Sequence, residues 1–138
     1  MLKLGNLEIF SLGTGGLLSS LLILKAETIS FSKAFIYYIP FQFETYEPIT
    51  AKNIKEKAKY KIEISDKNKI STLCDLTSDG AKTSSFDEKR VRLLIVFGEG
   101  KQQIFVDANG NVFAGEKRQT LSPKSFEKLK NVLSELIK

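Results

Sequence analysis

The sequence predicts an α+β domain whose elements run β-α-β-α-β-β-β-α, with a mainly antiparallel sheet and its helices packed on one face. Three patterns predict it. Apolar and polar residues alternate over 29–46 and again over 60–65, the period of two of a strand with one buried face. Residues 91–115 read as a meander of short strands separated by glycine-bearing turns. Towards the C-terminus apolar residues recur at helical spacing.

In the first strand Ile29, Phe31, Phe35, Tyr37, Ile39, Phe41 and Phe43 occupy odd positions. That assigns them to the buried face and leaves Tyr38, Glu44 and Tyr46 on the less apolar one. Pro40 removes a backbone donor within the run, which places the strand at a sheet edge or puts a bulge there. Pro48 ends it. Thr50 caps a short helix over residues 51–59, whose apolar side is only Ala51, Ile54 and Ala58. Tyr60, Ile62 and Ile64 point inward from the second strand. Asp66 caps a second helix in which Ile70, Leu73, Cys74 and Thr77 share a side.

Residues 77–88 are polar and rich in Gly and Ser, and read as a loop. Residues 91–97 are apolar on both faces except at Arg92, the pattern of a central strand. Gly98-Glu99-Gly100 turns the chain into a strand over 103–108. Asn109-Gly110 then supplies a two-residue hairpin turn, leading into a strand over 111–115 with Val106 opposite Phe113. Ser122 and Pro123 start the last helix. Its stripe is Phe126, Leu129, Val132, Leu133, Leu136 and Ile137, with lysines on the other side.

Residues 9–24 carry no charge, Lys3 precedes them and Ala26 offers a small residue at a cleavage point. This is the layout of an export leader. The run is short of the about 20 apolar residues of a membrane span, although a retained leader would act as an anchor. The expected organisation is a signal peptide or anchor over 1–26 and a single α+β domain over 27–138, exported to the periplasm or cell envelope. The alternative is a cytoplasmic protein in which 9–24 is a first strand or a buried helix.

Composition narrows the chemistry. The chain has no histidine, so the commonest general base and the commonest metal ligand are both missing. Cys74 is the single cysteine; it forms no internal disulfide and reads as a small core hydrophobe. The net charge of +5 is mild for a nucleic-acid binder. Gly13-Thr14-Gly15-Gly16 lacks the Gly-Lys-Ser/Thr ending of a phosphate loop. Asp107, Asn109 and Asn111 have calcium-loop spacing, but Val112 and Arg118 stand where that loop needs Gly and Glu. Glu44, Glu47, Asp87, Glu88 and Asp107 show no spacing that sets two carboxylates across a cleft. No catalytic residue, metal ligand or cofactor site emerges.

Two surfaces remain. Tyr38, Glu44 and Tyr46, with Arg90 and Arg92, form a candidate protein-binding set. Lys52, Lys55 and Lys59 would share a helix face able to track an anionic ligand, lipid or nucleic acid. The stretch Tyr37-Tyr38-Ile39-Pro40-Phe41, then Glu44-Thr45 and Pro48-Ile49-Thr50, resembles small bacterial proteins of the toxin-immunity kind. So does residues 91–97 followed by Val106-Asp107, Gly110-Asn111-Val112 and Leu121-Ser122. The likeness spans most of residues 35–136. It implies tight one-to-one binding of a toxin or enzyme, by steric blocking and without chemistry.

Overall fold

The computed structural model describes residues 32–98 and 102–138. The leader segment, Ile29 and Phe31 of the first strand, and most of the Gly98-Glu99-Gly100 turn lie outside the described residues. Among those described, no helix is long and apolar enough to cross a membrane.

The described residues are α+β, with three helices and a seven-stranded antiparallel sheet. In chain order the elements are β1 (Ala34–Tyr38), α1 (Ile54–Lys57), β2 (Tyr60–Ile64), α2 (Lys67–Ser78), β3 (Gly80–Lys82), β4 (Val91–Phe97), β5 (Gln102–Asp107), β6 (Asn111–Ala114), β7 (Lys117–Leu121) and α3 (Pro123–Leu136). The sheet order is β2-β1-β4-β5-β6-β7-β3. The described residues belong to one compact unit.

β1 is shorter than its alternation predicts, because Pro40 cannot donate to the ladder. Instead the Phe43 N–H bonds the Pro40 carbonyl and the chain turns away. The strand lies inside the sheet between β2 and β4, so both of its edges are paired, and its two faces pack against different cores. Ala34, Ile36 and Tyr38 are the fully buried ones, while Phe35 and Tyr37 are half-buried on the other side. Within β1 the expected in-and-out assignment is therefore reversed, while Ile39 and Phe41 beyond it are buried as expected. Alternation fixes which residues share a face, and with two apolar faces it does not say which face is drier.

Two cores result. On one face α2 supplies Ile70, Leu73 and Cys74, and α3 supplies Leu129 and Leu133, against Ala34, Ile36, Leu93, Ile95, Phe97, Ile104 and Val106. On the other, Ile54 of α1 joins Ile39, Ile49, Phe86, Val91, Leu94 and Val96. The helices thus do not all pack on one face: α1 sits opposite α2 and α3. Asp66 caps α2 through bonds from the Asn68 and Lys69 amides. Ser122 caps α3, accepting from the Ser125 amide with Pro123 at the helix start. Both caps stand where the sequence placed them.

Two strands appear where none was expected, one inside the expected loop and one in the stretch between residue 115 and Ser122. β3 interrupts the polar segment 77–88, and β7 follows a two-residue turn at Gly115-Glu116. Gly115 takes φ 62° at the first turn position, as such hairpins require. Gly80 is obligatory in β3, because a Cβ there would run into the Thr120 carbonyl oxygen. The β5–β6 turn instead spans residues 108–110, with Gly110 at φ 85°. That longer turn shifts the register by one residue, so Val106 faces Val112 and Phe105 faces Phe113.

β4 carries one irregularity. Val91 pairs with Asp107 but Leu93 pairs with Val106, so Arg92 is the extra residue of a bulge. The bulge resets the alternation: Val91 lies in the α1-side core and Leu93 in the core beneath α2 and α3. It also re-aims Arg92, and the candidate site is built on that.

Candidate functional site

Residues 40–48 form a loop that leaves β1 and returns beside the start of β4. Its entry is fixed by the Ile39 amide bonding the Arg92 carbonyl. Its exit is fixed by a parallel bridge between Ile49 and Arg90, with the Ile49 amide on the Lys89 carbonyl and the Val91 amide on the Ile49 carbonyl. Between those points Phe41 plugs into the helix-side core, its ring 4.9 Å from that of Phe126 and 5.5 Å from that of Tyr38. The middle of the loop is held from below. Arg92 Nε and Nη2 both donate to the Phe43 carbonyl, at 3.2 and 3.0 Å, and Nη1 donates to the Val91 carbonyl at 3.1 Å.

This short Ω-like loop is thus pinned at both ends and at its crest. What it presents outward is Phe43, Glu44, Thr45 and Tyr46. Tyr46 is fully exposed. Glu44 bonds Arg90 Nη2 at 3.2 Å, and Glu47 pairs with Lys57 at 3.2 Å. Such exposed pairs contribute about 0–1 kcal/mol each and serve to define a polar rim. Lys59 lies 4.8 Å over the Phe43 ring.

The structure therefore brings Glu44, Tyr46 and Arg90 together, on a loop rather than on a strand face. It separates Tyr38 and Arg92 from them. Tyr38 is 4% exposed and Arg92 1%, so neither offers a contact surface; one packs against Phe41 and the other holds the loop. Arg92 reads as a surface residue by type, yet the bulge turns it inward. Burial, reinforced by the like charge of Arg90, pulls its guanidinium below the ordinary arginine value, opposed by Glu44, Asp87 and Asp107. Phe43 and Phe41 were assigned to a strand interior, and their anchoring role had no signal beyond the single arginine in an otherwise apolar strand.

The lysine set is not assembled as expected. α1 covers only Ile54–Lys57, so Lys52 precedes the helix and Lys59 follows it. Lys55 lies 6.0 Å over the Tyr37 ring while Lys59 covers Phe43. The Thr50 hydroxyl does accept from the Lys52 amide, and the Asn53 side chain accepts from the Thr50 amide and donates to the Pro48 carbonyl, but residues 51–53 form a turn ahead of the four helical residues.

Asp107 is a structural hub. It is fully buried, and its Oδ1 accepts from the Asn109 and Asn111 amides at 2.9 Å each. Its Oδ2 accepts from the Asp87 amide at 2.8 Å and the Asn111 side chain at 3.0 Å. This fixes the hairpin tip to segment 85–90, where Asn111 also bonds the Ser85 carbonyl. The segment carrying Arg90 is thereby held in place. Among the described residues, no three His, Cys, Asp or Glu side chains gather as a metal ion requires.

Burial raises the Tyr38 phenol above 10.0; a backbone bond at Phe41 opposes the shift and neighbouring Tyr60 adds to it. A phenol whose folded value is raised contributes stability fully present below the unfolded value and lost as pH rises through the folded one. Unfolding free energy is expected to fall more steeply above about pH 10 in the natural chain than in Tyr38→Phe, as urea midpoints across the alkaline limb would show. Parallel curves would contradict it.

No family model, curated protein or solved structure matches the chain.

Proposed function

We propose that this is a non-catalytic protein-binding domain, possessing one principal partner and contacting it through the loop 40–48 and Arg90. One observation carries the reading: a fully exposed tyrosine sits on a loop fixed at both ends and at its crest. An exposed aromatic gains nothing for folding, whereas a rigid loop presents it to a partner at low entropic cost. Tyrosine and arginine are the side chains that most often dominate interfaces. Phe43 and Tyr46 form the apolar centre, with Glu44, Glu47, Lys57 and Arg90 as the charged rim.

The mechanism is steric blocking by a preformed surface, as the toxin-immunity resemblance implies, and the partner is a toxin or an enzyme. Export to the periplasm or cell envelope fits the apolar segment 9–24. Capture from native cells by the C-terminally tagged full chain tests the reading. The natural chain is expected to retain one stoichiometric protein, and Tyr46→Ala to lose it by about tenfold or more with an unchanged urea midpoint. Equal retention by both forms would overturn this surface.

A further inference from the structure

At one end of the sheet β2 has β1 on one side and, among the described residues, no strand on the other. The register shows which of its backbone groups point outward. Along a strand the N–H and C=O of one residue point to the same side, and successive residues alternate. Next to β1, the Ile39 amide bonds the Arg92 carbonyl and the Gly98 amide bonds the Lys33 carbonyl. Phe35 and Tyr37 therefore face β4, while Ala34, Ile36 and Tyr38 face β2. The Tyr38 carbonyl accordingly accepts from the Lys59 amide on the β2 side. Across the ladder Ala34, Ile36 and Tyr38 lie opposite Ile64, Ile62 and Tyr60, which turn their amides and carbonyls inward. Lys61 and Glu63 turn theirs away from β1.

The side chains divide between the two faces. Tyr60, Ile62 and Ile64 lie against the core beneath α2 and α3, with Tyr60 and Ile62 only half-buried at the edge. Lys61 and Glu63 lie on the opposite face and are exposed. Glu63 pairs with Lys33 at 3.3 Å, yet 51% of its side chain stays open. Lys61 has no carboxylate within ion-pairing distance among the described residues.

We propose that β2 pairs with β2 of a second copy of this chain, antiparallel about a two-fold axis at Ile62, so that the two sheets become one. Outward-facing backbone at Lys61 and Glu63 leaves three symmetric registers within the strand. Two of them set Lys61 opposite Lys61 or Glu63 opposite Glu63, and like charges directly opposite are destabilising. The third sets Lys61 opposite Glu63 of the second copy on both sides of the axis, so charge selects it. Each of these two pairs exchanges both backbone hydrogen bonds. On the helix-bearing face the same register brings Ile62 to Ile62 and Tyr60 to Ile64, the self-complementary contact that a two-fold interface requires. Lysine on an edge strand ordinarily deters edge-to-edge pairing. A glutamate two residues on turns that deterrent into a complement for this one strand. The edge is distinct from Phe43, Tyr46 and Arg90, so Tyr46 variants leave it intact and either reading stands without the other.

A contact built on one five-residue strand falls below the about 1,200 Å² of a standard interface, so the association is weak. Sedimentation equilibrium of the full chain at about 0.01–1 mM tests it. The expected result is a reversible monomer–dimer equilibrium. Lys61→Glu and Glu63→Lys should each weaken it about tenfold, because each sets like charges opposite, and Lys61→Glu/Glu63→Lys should restore it. Mixing the two single variants should give mixed dimers in preference to dimers of either variant, since opposite charges then face again. Lys128→Glu on the exposed side of α3 should change nothing. The mass of a single copy up to about 1 mM would overturn the proposal. So would association unchanged in both single variants, which places the contact elsewhere on the chain, or single variants that gain nothing on mixing.

Discussion

Asp107→Ala is expected to lower the unfolding free energy by about 4 kcal/mol, within the range for breaking a buried charged network. The carboxylate is fully buried and accepts four hydrogen bonds, three of them from backbone amides. Alanine leaves those donors without a partner, and each such loss costs about 1–3 kcal/mol when water cannot replace it. For a domain of this size, with a typical stability of about 5–15 kcal/mol, that is a large fraction. Urea unfolding measures it directly. The loss also has a place: segment 85–90 is held by Asp107 and Asn111, so amide protection around Arg90 should fall before that of β1. A change under about 1 kcal/mol would show that the four bonds are replaceable.

Arg92→Met is expected to cost less stability, about 1–3 kcal/mol for the buried Val91 carbonyl left without its donor, and to cause a large loss of binding. The guanidinium is almost fully buried, and burial disfavours its charge. Removing a charge that burial already disfavours offsets part of the cost of its lost hydrogen bonds. The Phe43 carbonyl, freed from Arg92, lies on an exposed loop where water can satisfy it. What disappears is the clamp on the crest. Amide exchange at Phe43, whose N–H bonds Pro40, should accelerate by about tenfold or more as local opening becomes easier. Partner retention should fall by about tenfold, because the loop must then be ordered on binding. An unfolded variant, or unchanged exchange at Phe43, would contradict the clamp. Arg92→Lys separates charge from geometry, since a lysine cannot give two donors in a fixed fork.

The sequence made much of the fold legible. Asp66 and Ser122 announce helix starts because capping needs only local chemistry. The buried side of α2 and the stripe of α3 follow from spacing alone. So does the central position of β4, where every residue is buried. Features that depend on partners distant along the chain were not legible. β3 exists because Gly80 can lie flush against Thr120 in β7, which nothing local to residues 80–82 announces. The bulge at Arg92 depends on β5 holding Asp107 opposite Val91.

The candidate site divides in the same way. Glu44, Tyr46 and Arg90 were recognised as surface residues by type, and the fold brings them together. Tyr38 and Arg92 were recognised by type too, and the fold turns them inward. A lone arginine among Val91, Leu93, Leu94, Ile95, Val96 and Phe97 was the available clue, since a buried arginine must find acceptors. The sequence contained no statement of which acceptor, and the Phe43 carbonyl lies in a segment that read as strand.

The most direct test of the binding surface is site-specific photocrosslinking in native cells. Photoreactive p-benzoyl-phenylalanine is placed at Tyr46, and in a second form at exposed Lys128 on α3. The account predicts one discrete protein adduct from position 46, absent from position 128 and reduced about tenfold when Arg92→Met is added. No adduct at position 46, or the same adducts from both positions, would contradict it.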